Sequence, residues 1–210
     1  MSQETRHKLL EGALRTLTEQ GIAKTSARAV AASAGVNQAL VFYHFGSVDA
    51  LLAAACRYGA EQRVARYRAR LDRVSTLVEL LTLGREVHRE EREGGNVAVL
   101  GQLLAGAQTQ PRLALATAAG LELWINEVEK VLVRVLKGTP IGEFTDPAGL
   151  ARAVAASFVG LELYEGVDTD GAERALNALE QLGMLAAALD ELGPLGRRAV
   201  RHRLKRRSSG

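Results

Sequence analysis

Apolar residues recur along nearly the whole chain with the three-to-four-residue spacing of a helix. In residues 4–20 they form one stripe: Leu10, Ala13, Leu14 and Leu17. Gly21 follows directly, and glycine adopts the left-handed conformation that ends many helices at little cost. We therefore expect a first amphipathic helix that ends at Gly21.

Capping residues and glycines divide the next stretch into three helices. Serine, threonine and asparagine accept hydrogen bonds from the free N–H groups at a helix start. Gly35 and Gly46 stand where the first two of these helices are expected to end. The three predicted helices run from Thr25 or Ser26 to Ala34, from Asn37 to about Phe45, and from Ser47 to about Asp72.

Five further helices are predicted in the rest of the chain, separated by turns rich in glycine and proline. Their ranges are 76–92, 97–109, 112–137, 147–164 and 171–192. Hydrophobic residues, mostly Ala and Leu, make up 47% of the sequence and aromatic residues only 4%, which favours helix over sheet. The prediction is an all-α protein of nine helices.

Charge is distributed unevenly along the chain. Residues 1–75 hold 11 basic and 6 acidic residues, and residues 76–192 hold 9 basic and 18 acidic ones. Residues 193–210 form a tail with 7 basic residues and no acidic one. This asymmetry indicates that only part of the molecule approaches a polyanion. The tail itself fits either an electrostatic contact with that polyanion or a flexible solubilising end.

The sequence gives little support for catalysis or export. A single cysteine, Cys56, excludes an internal disulfide framework, and no stretch approaches about eighteen uncharged apolar residues. The N-terminal residues lack the apolar core of a signal peptide, so we expect a cytoplasmic protein. The histidines show no metal-ligand spacing: His7, His44, His88 and His202. We predict no enzymatic activity, no metal and no cofactor.

A helix-turn-helix is the informative pattern, and it lies within residues 27–45. Ala31 provides the small side chain that two crossing helices need, and Gly35, four residues later, suits a turn with positive φ. Val41, six residues further on, would point back into the shared core. The apolar contacts are completed by Val30, Ala34 and Val36. In such a motif the second helix enters the major groove of DNA.

The whole run TSARAVAASAGVNQALVFYHFGSVDALLAAA closely resembles the N-terminal domain of the TetR family of bacterial helix-turn-helix transcriptional regulators. The resemblance covers residues 4–55, and the remainder matches that family only in size and helical content. It implies a three-helix DNA-binding domain joined by a long helix to a helical effector-binding and dimerisation domain. The expected boundaries are 1–47, 48–192, and 193–210 for the basic tail.

Resemblance and physical chemistry agree on a set of candidate DNA contacts. They are Thr25, Ser26, Arg28, Asn37, Gln38, Ala39, Leu40, Tyr43, His44 and Ser47. The hydroxyls of the first two lie at a helix N-terminus, which suits a phosphate. Arg28 can reach a phosphate or a guanine, or remain a solvated charge. Gln38 is the best candidate for reading bases, because its amide can pair bidentately with adenine.

Other candidates have simpler roles. Asn37 fits either a DNA contact or a helix cap alone, and Ala39 and Leu40 offer apolar contact, for example to a thymine methyl group. Tyr43 and His44 match the aromatic step that the family places against the sugar-phosphate backbone, although a helix-terminal histidine needs no DNA to explain it.

The sequence departs from the family pattern at three positions. Phe42 stands where a tyrosine is usual, Leu40 where a threonine or serine is common, and Val48 where many members carry a lysine. Fewer polar contacts to the DNA backbone are therefore expected from this helix. They are left to Tyr43, Arg28 and Ser47. Phe42 and Phe45 both fit a core position, and for Phe45 the core is the preferred interpretation.

Apolar stripes mark the last two helices. One consists of Val154, Phe158 and Leu161, and the other of Leu176, Leu179, Leu182, Leu185, Leu189 and Leu192. Pattern alone favours an intramolecular core. The two-fold symmetry of helix-turn-helix binding shifts the prediction towards a homodimer interface.

A small-molecule effector is expected in the same domain. Candidate pocket residues are polar or aromatic side chains on otherwise apolar helices: His88, Gln102, Trp124, Asn126, Phe158 and Tyr164. Each of them alone also fits an ordinary surface or core position. The function expected is that of a repressor that binds double-stranded operator DNA as a dimer and is released by its effector. The alternatives are a DNA-binding adaptor controlled by a protein partner, and a helical enzyme or carrier with an accidental motif.

Overall fold

A computed structural model describes residues 2–190, 192, 196, 198, 199 and 202. Within them the chain forms nine α-helices and one 3-10 turn, and no residue described lies in a strand. The helices are α1 (Ser2–Gln20), α2 (Ala27–Ala34), α3 (Ala39–Phe45), α4 (Val48–Arg73), α5 (Leu77–Glu93), α6 (Asn96–Ala107), α7 (Pro111–Leu136), α8 (Pro147–Glu165) and α9 (Thr169–Asp190). The predicted all-α fold is confirmed.

Helix boundaries lie within a few residues of the predicted ones, and one element was not predicted. A 3-10 turn, Ile22–Lys24, follows Gly21, whose φ of 78° is left-handed. Four residues in the tail are described (196, 198, 199 and 202), and the rest of segment 193–210 lies outside the described residues, as does position 191 in the last predicted helix.

Two units are distinguished by their internal contacts. The first comprises Met1–Arg66 and Glu90–Trp124, and the second Tyr67–Arg89 and Ile125–Gly210. Helices α4, α5 and α7 each contribute to both. The domain boundary expected between positions 47 and 48 stays a prediction.

The first unit has a core in which α1, α2, α3 and the start of α4 meet. Its fully or nearly fully buried residues are Leu9, Leu10, Ala13, Ala27, Val30, Ala31, Val41, Leu51 and Ala55. A second buried cluster joins α1 and α4 to α6 and α7: Leu17, Leu52, Cys56, Val99, Leu103 and Leu113. Burial of this apolar surface provides the main driving force that holds these helices together.

Polar side chains fix the helix ends of the second unit. Asp146 caps α8, since its two carboxylate oxygens accept the N–H groups of Ala148 at 3.1 Å and Gly149 at 2.9 Å. The Arg134 guanidinium on α7 donates to the main-chain oxygens of Leu71 at 2.7 Å and Val74 at 2.9 Å. Leu71 O also accepts the Val74 N–H at 3.2 Å, so the guanidinium adds a second donor there and supplies one to Val74 O just beyond the end of α4.

Within the described residues, no single helix is both long and apolar enough to cross a membrane, and one bent pair, Ala39–Phe45 with Val48–Arg73, meets the length and composition requirements. No group of three His, Cys, Asp or Glu side chains in that part of the chain could hold a metal ion.

Burial raises the pKa of the Cys56 thiol to about 11. The thiol is therefore protonated near neutral pH and is a poor nucleophile.

Candidate nucleic-acid interface

The turn between α2 and α3 has the geometry that the sequence predicts. Gly35 adopts φ 65° and ψ 35°, and its N–H donates to carbonyl oxygens at the end of α2. Val36 N–H donates to Ala31 O at 3.0 Å. Val41 is fully buried, and Ala31 is nearly so. The helix-turn-helix spacing therefore produces the expected core contacts.

Helix α2 lies unusually close to α1. A Cβ atom on Gly12 would lie 2.8 Å from Ala34 Cβ and 3.0 Å from Val30 O, so only glycine fits there. Arg15 reinforces the contact, because its guanidinium donates to Ser33 O at 2.7 Å. The position of α2 is thus fixed by α1 through two contacts.

The sequence left open whether Thr25 or Ser26 caps α2, and their hydrogen bonds distinguish the two. Ser26 is the cap: its Oγ accepts from Ala29 N–H at 3.2 Å, and the side chain is exposed. Thr25 instead donates from Oγ1 to Gly21 O at 2.9 Å and is partly buried. Arg28 lies in the first turn and is exposed. A helix N-terminus with an exposed hydroxyl and a nearby guanidinium can bind a phosphate.

At the start of α3, Asn37 acts as the side-chain cap. Its Oδ1 accepts from Ala39 N–H at 2.8 Å. Gln38 makes no capping hydrogen bond and is exposed. The Gln38 amide is therefore available for a base edge, while the Asn37 oxygen already has a partner.

One face of α3 is exposed. Positions one turn apart lie on the same side of a helix, and the exposed residues from Gln38 to the end of this helix are Gln38, Ala39, Phe42 and Tyr43. Tyr43 is 78% exposed and Phe42 49% exposed, although both are large aromatic side chains. An exposed aromatic face of this kind suits contact with a partner such as the DNA backbone and bases.

Residues on the opposite side of α3 pack inward. Leu40 is half-buried against the first core, and Phe45 and Val48 pack there as well. The core interpretation of Phe45 is confirmed, whereas Phe42 is half-exposed. Val48, where the family often has a lysine, is the first residue of α4 and is half-buried against the same cluster.

The end of α3 carries two further candidates. The half-exposed His44 ring lies 5.0 Å from the Tyr43 ring and 6.4 Å from the Phe45 ring, centroid to centroid. Ser47 Oγ accepts from Ala50 N–H at 3.1 Å, so the predicted cap of α4 is present. An interaction that the sequence did not reveal is the Arg6 guanidinium of α1, which lies 5.1 Å from the Phe45 ring centroid.

The six predicted effector residues divide between the two units. Gln102 and Trp124 belong to the first, and the other four to the second. The Gln102 Oε1 accepts from Ile22 N–H at 2.9 Å, and Trp124 is half-buried. Asn126 is exposed, and the Tyr164 hydroxyl donates to Asp168 Oδ2 at 2.8 Å in the turn between α8 and α9. Their role as a pocket stays a prediction.

His88 and Phe158 do lie together, with two acidic neighbours that the sequence pattern did not single out. The His88 ring on α5 is 5% exposed and meets the Phe158 ring edge-on at 5.6 Å. Its Nε2 lies 2.8 Å from Glu165 Oε2, and its Nδ1 lies 3.9 Å from Glu162 Oε1. The Glu162 carboxylate raises the pKa of His88, burial opposes this, and Glu165 raises it further. The signal for the buried Glu162 was one acidic residue in the apolar run FVGLELY.

Sequence comparison identifies the N-terminal residues. The sequence model of the family of bacterial regulatory proteins, tetR family, matches residues 9–55, which include α2, α3 and most of α1. No curated protein matches the chain significantly.

Solved structures resemble the chain over most of its length. A TetR-family transcriptional regulator from Rhodococcus sp. superposes with a TM-score of 0.72 at 24% identity, over 86% of this chain and 99% of that one. A TetR transcription regulator from Haloarcula marismortui superposes with a TM-score of 0.65 at 19% identity, over 90% of this chain and 98% of that one.

Another similar structure is the multidrug binding protein EbrR. In its complex with imidazole the TM-score is 0.62 at 28% identity, over 84% of this chain and 88% of that one. In its complex with proflavin the TM-score is 0.59 at 29% identity, over 85% of this chain and 99% of that one. Residues 9–55 therefore carry the N-terminal sequence of the TetR family, and the chain has the fold of a TetR-family transcriptional regulator.

Proposed function

We propose that this chain is a cytoplasmic, non-enzymatic repressor that binds operator DNA as a homodimer and is released by a small-molecule effector. The exposed face of α3 carries the proposal. It presents the uncommitted Gln38 amide, Phe42 and the exposed Tyr43 ring, and Val41 anchors the opposite side of the helix in the core. This arrangement supports base reading in a major groove, with Ser26 and Arg28 at the α2 N-terminus on phosphates.

A homodimer is supported by exposed apolar side chains of α9. Leu182 is 62% exposed and Leu185 65% exposed, three residues apart on α9, and Met184 is exposed next to them. The apolar stripe on this helix thus stays largely uncovered by its own unit. A second copy of the same surface would bury it and would supply the second recognition helix that a palindromic site requires.

The effector is assigned to the second unit, where His88, Phe158, Glu162 and Glu165 cluster. Two carboxylates and one histidine suit an effector that carries a positive charge and an aromatic ring. The EbrR complexes with imidazole and proflavin support the same kind of ligand, since both are nitrogen heteroaromatic compounds.

A gel shift on the DNA that flanks the protein's own gene tests this function. We expect a retarded complex that survives an excess of random-sequence duplex, and release of the DNA when proflavin is added. Retardation of flanking and random duplexes alike would refute operator recognition. Specific binding that no heteroaromatic cation weakens would refute the effector class alone.

A further inference from the structure

Gln102 is the one polar side chain in residues 97–107 of α6. It is half-buried and lies where α6 meets the 3-10 turn Ile22–Lys24. Its Oε1 accepts the Ile22 N–H at 2.9 Å, across 80 positions of sequence. The neighbouring Val99 and Leu103 are buried in the second core cluster, so the amide stands beside an apolar contact.

The Ile22 N–H needs this acceptor. It is the first N–H group of the turn, and such groups have no partner within their own helix. A Cβ atom at Gly21 would lie 3.0 Å from Gln102 Oε1, so the main chain comes close to the amide and any other residue at position 21 would disturb the contact. Gly21 also has the positive φ that disfavours other residues.

The side chain of Ile22 is held by the same helix. Gly106 lies one turn beyond Gln102 on α6, and a Cβ atom there would lie 3.0 Å from Ile22 Cδ1 and 2.8 Å from Leu113 Cδ2. α6 therefore holds Ile22 at two points, through a hydrogen bond to its N–H and through a close apolar contact to its side chain.

Ile22 in turn fixes the start of α2. Thr25 N–H donates to Ile22 O at 3.1 Å, and Thr25 Oγ1 donates to Gly21 O at 2.9 Å. Ser26, the cap of α2, is the next residue. The hydrogen-bonded path from Gln102 to the phosphate-binding end of α2 is thus only a few residues long.

We propose that Gln102 is a positioning residue for DNA binding, which makes α6 part of the DNA-binding head by holding the α2 N-terminus in place for phosphate. The inference rests on the proposed function. It separates two tasks: Gln102 supports the sequence-independent contacts of Ser26 and Arg28, whereas Gln38 on α3 supports the choice of sequence.

Two substitutions of Gln102 test the inference in the full-length chain. Gln102→Leu has a similar size and no acceptor, and Gln102→Glu retains an oxygen that can accept the Ile22 N–H. Gln108→Leu is the matched control, because Gln108 is exposed at the end of α6. Thermal unfolding checks that each variant folds. If Gln102→Leu does not fold, Gln102→Asn replaces it, since its amide is one methylene too short.

The measurements are amide hydrogen exchange at Ile22 and the salt dependence of DNA binding. The two DNA probes are the duplex that the unsubstituted chain selects from a random pool and a scrambled duplex of equal length. We expect faster Ile22 exchange in Gln102→Leu and an equal fold-loss of affinity for both duplexes. The slope of log affinity against log salt should fall by about 0.9 for each phosphate that the variant no longer neutralises. Gln102→Glu should restore both properties.

Unchanged Ile22 exchange and an unchanged salt slope in Gln102→Leu would overturn the inference. So would a loss confined to the selected duplex, because Gln102 would then act on base reading. If the unsubstituted chain binds neither duplex, the proposed function fails, and the inference fails with it. If the unsubstituted chain binds and Gln102→Leu behaves like Gln108→Leu, only the inference fails.

Discussion

The guanidinium carbon of Arg6 lies 5.1 Å from the centroid of the Phe45 ring. Arg6 is on α1, and Phe45 is the last residue of α3 with its ring partly buried against the core. The pair therefore links α1 to the end of α3, a helix of only seven residues.

Arg6→Met should lower the free energy of unfolding by about 0.5–1 kcal/mol, because it removes the cation and keeps an apolar stem over the ring. Arg6→Lys, which retains a positive charge, should lose less. Urea unfolding followed by circular dichroism measures both. Equal stability of Arg6→Met and the unsubstituted chain would show that the cation–ring contact contributes nothing.

Gly12→Ala should lower the free energy of unfolding by about 1–3 kcal/mol, because the new methyl group would overlap Ala34 and the Val30 carbonyl. Gly84→Ala on α5 is the control and should change the free energy of unfolding in the opposite direction, since a Cβ there meets nothing within 4 Å. It should stabilise the helix by about 0.5–1 kcal/mol. A neutral or stabilising Gly12→Ala would mean that α1 and α2 can separate without cost.

The buried His88 should give stability a pH dependence. Its pKa in the folded state is raised, first by Glu162, above an unfolded value of about 6.5. The stabilising contribution of protonated His88 is therefore fully present below about pH 6.5 and is lost as the pH rises through the raised pKa. Chemical unfolding should show that the free energy of unfolding of His88→Gln lacks this decline with rising pH. The decline should be smaller in Glu162→Gln than in the unsubstituted protein. A His88→Gln profile that matches the unsubstituted protein would contradict the assignment.

Charges on the α9 stripe should break the proposed homodimer. Leu182→Glu combined with Leu185→Glu should sediment as a 22.5 kDa monomer, whereas the unsubstituted chain should sediment at twice that mass. Leu115→Glu is the control, because Leu115 is 74% exposed on α7, outside the stripe. A monomeric unsubstituted chain at micromolar concentration, with and without DNA, would refute the dimer.

The helix-turn-helix could be predicted from the sequence because its determinants are local. Gly35 needs positive φ, Asn37 caps the helix two residues on, and Val41 follows at a fixed distance. The role of Gln102 could not be predicted in the same way. A polar residue on an apolar helix was noticeable, but its partner, the Ile22 N–H, is 80 positions away and becomes evident only when α6 packs on the 3-10 turn.

The sequence alone does not show which side of a short helix faces the core, so some candidate DNA contacts fit a buried position equally well. Leu40 fits a thymine methyl group by type, but it is half-buried on the core side of α3. A seven-residue helix gives too few apolar positions to define its buried face from the sequence alone. The buried pairing of His88 with Glu162 likewise depends on how α5 and α8 pack, which their separate patterns do not determine.

Binding of Gln38→Ala to selected and scrambled duplexes tests the central claim, that α3 reads bases through Gln38. The unsubstituted chain should prefer the duplex that it selects from a random pool. Gln38→Ala should lose roughly 1–3 kcal/mol on that duplex and much less on the scrambled one, because only the base contact is removed. An equal loss on both duplexes, or no loss on either, would show that Gln38 does not read the sequence.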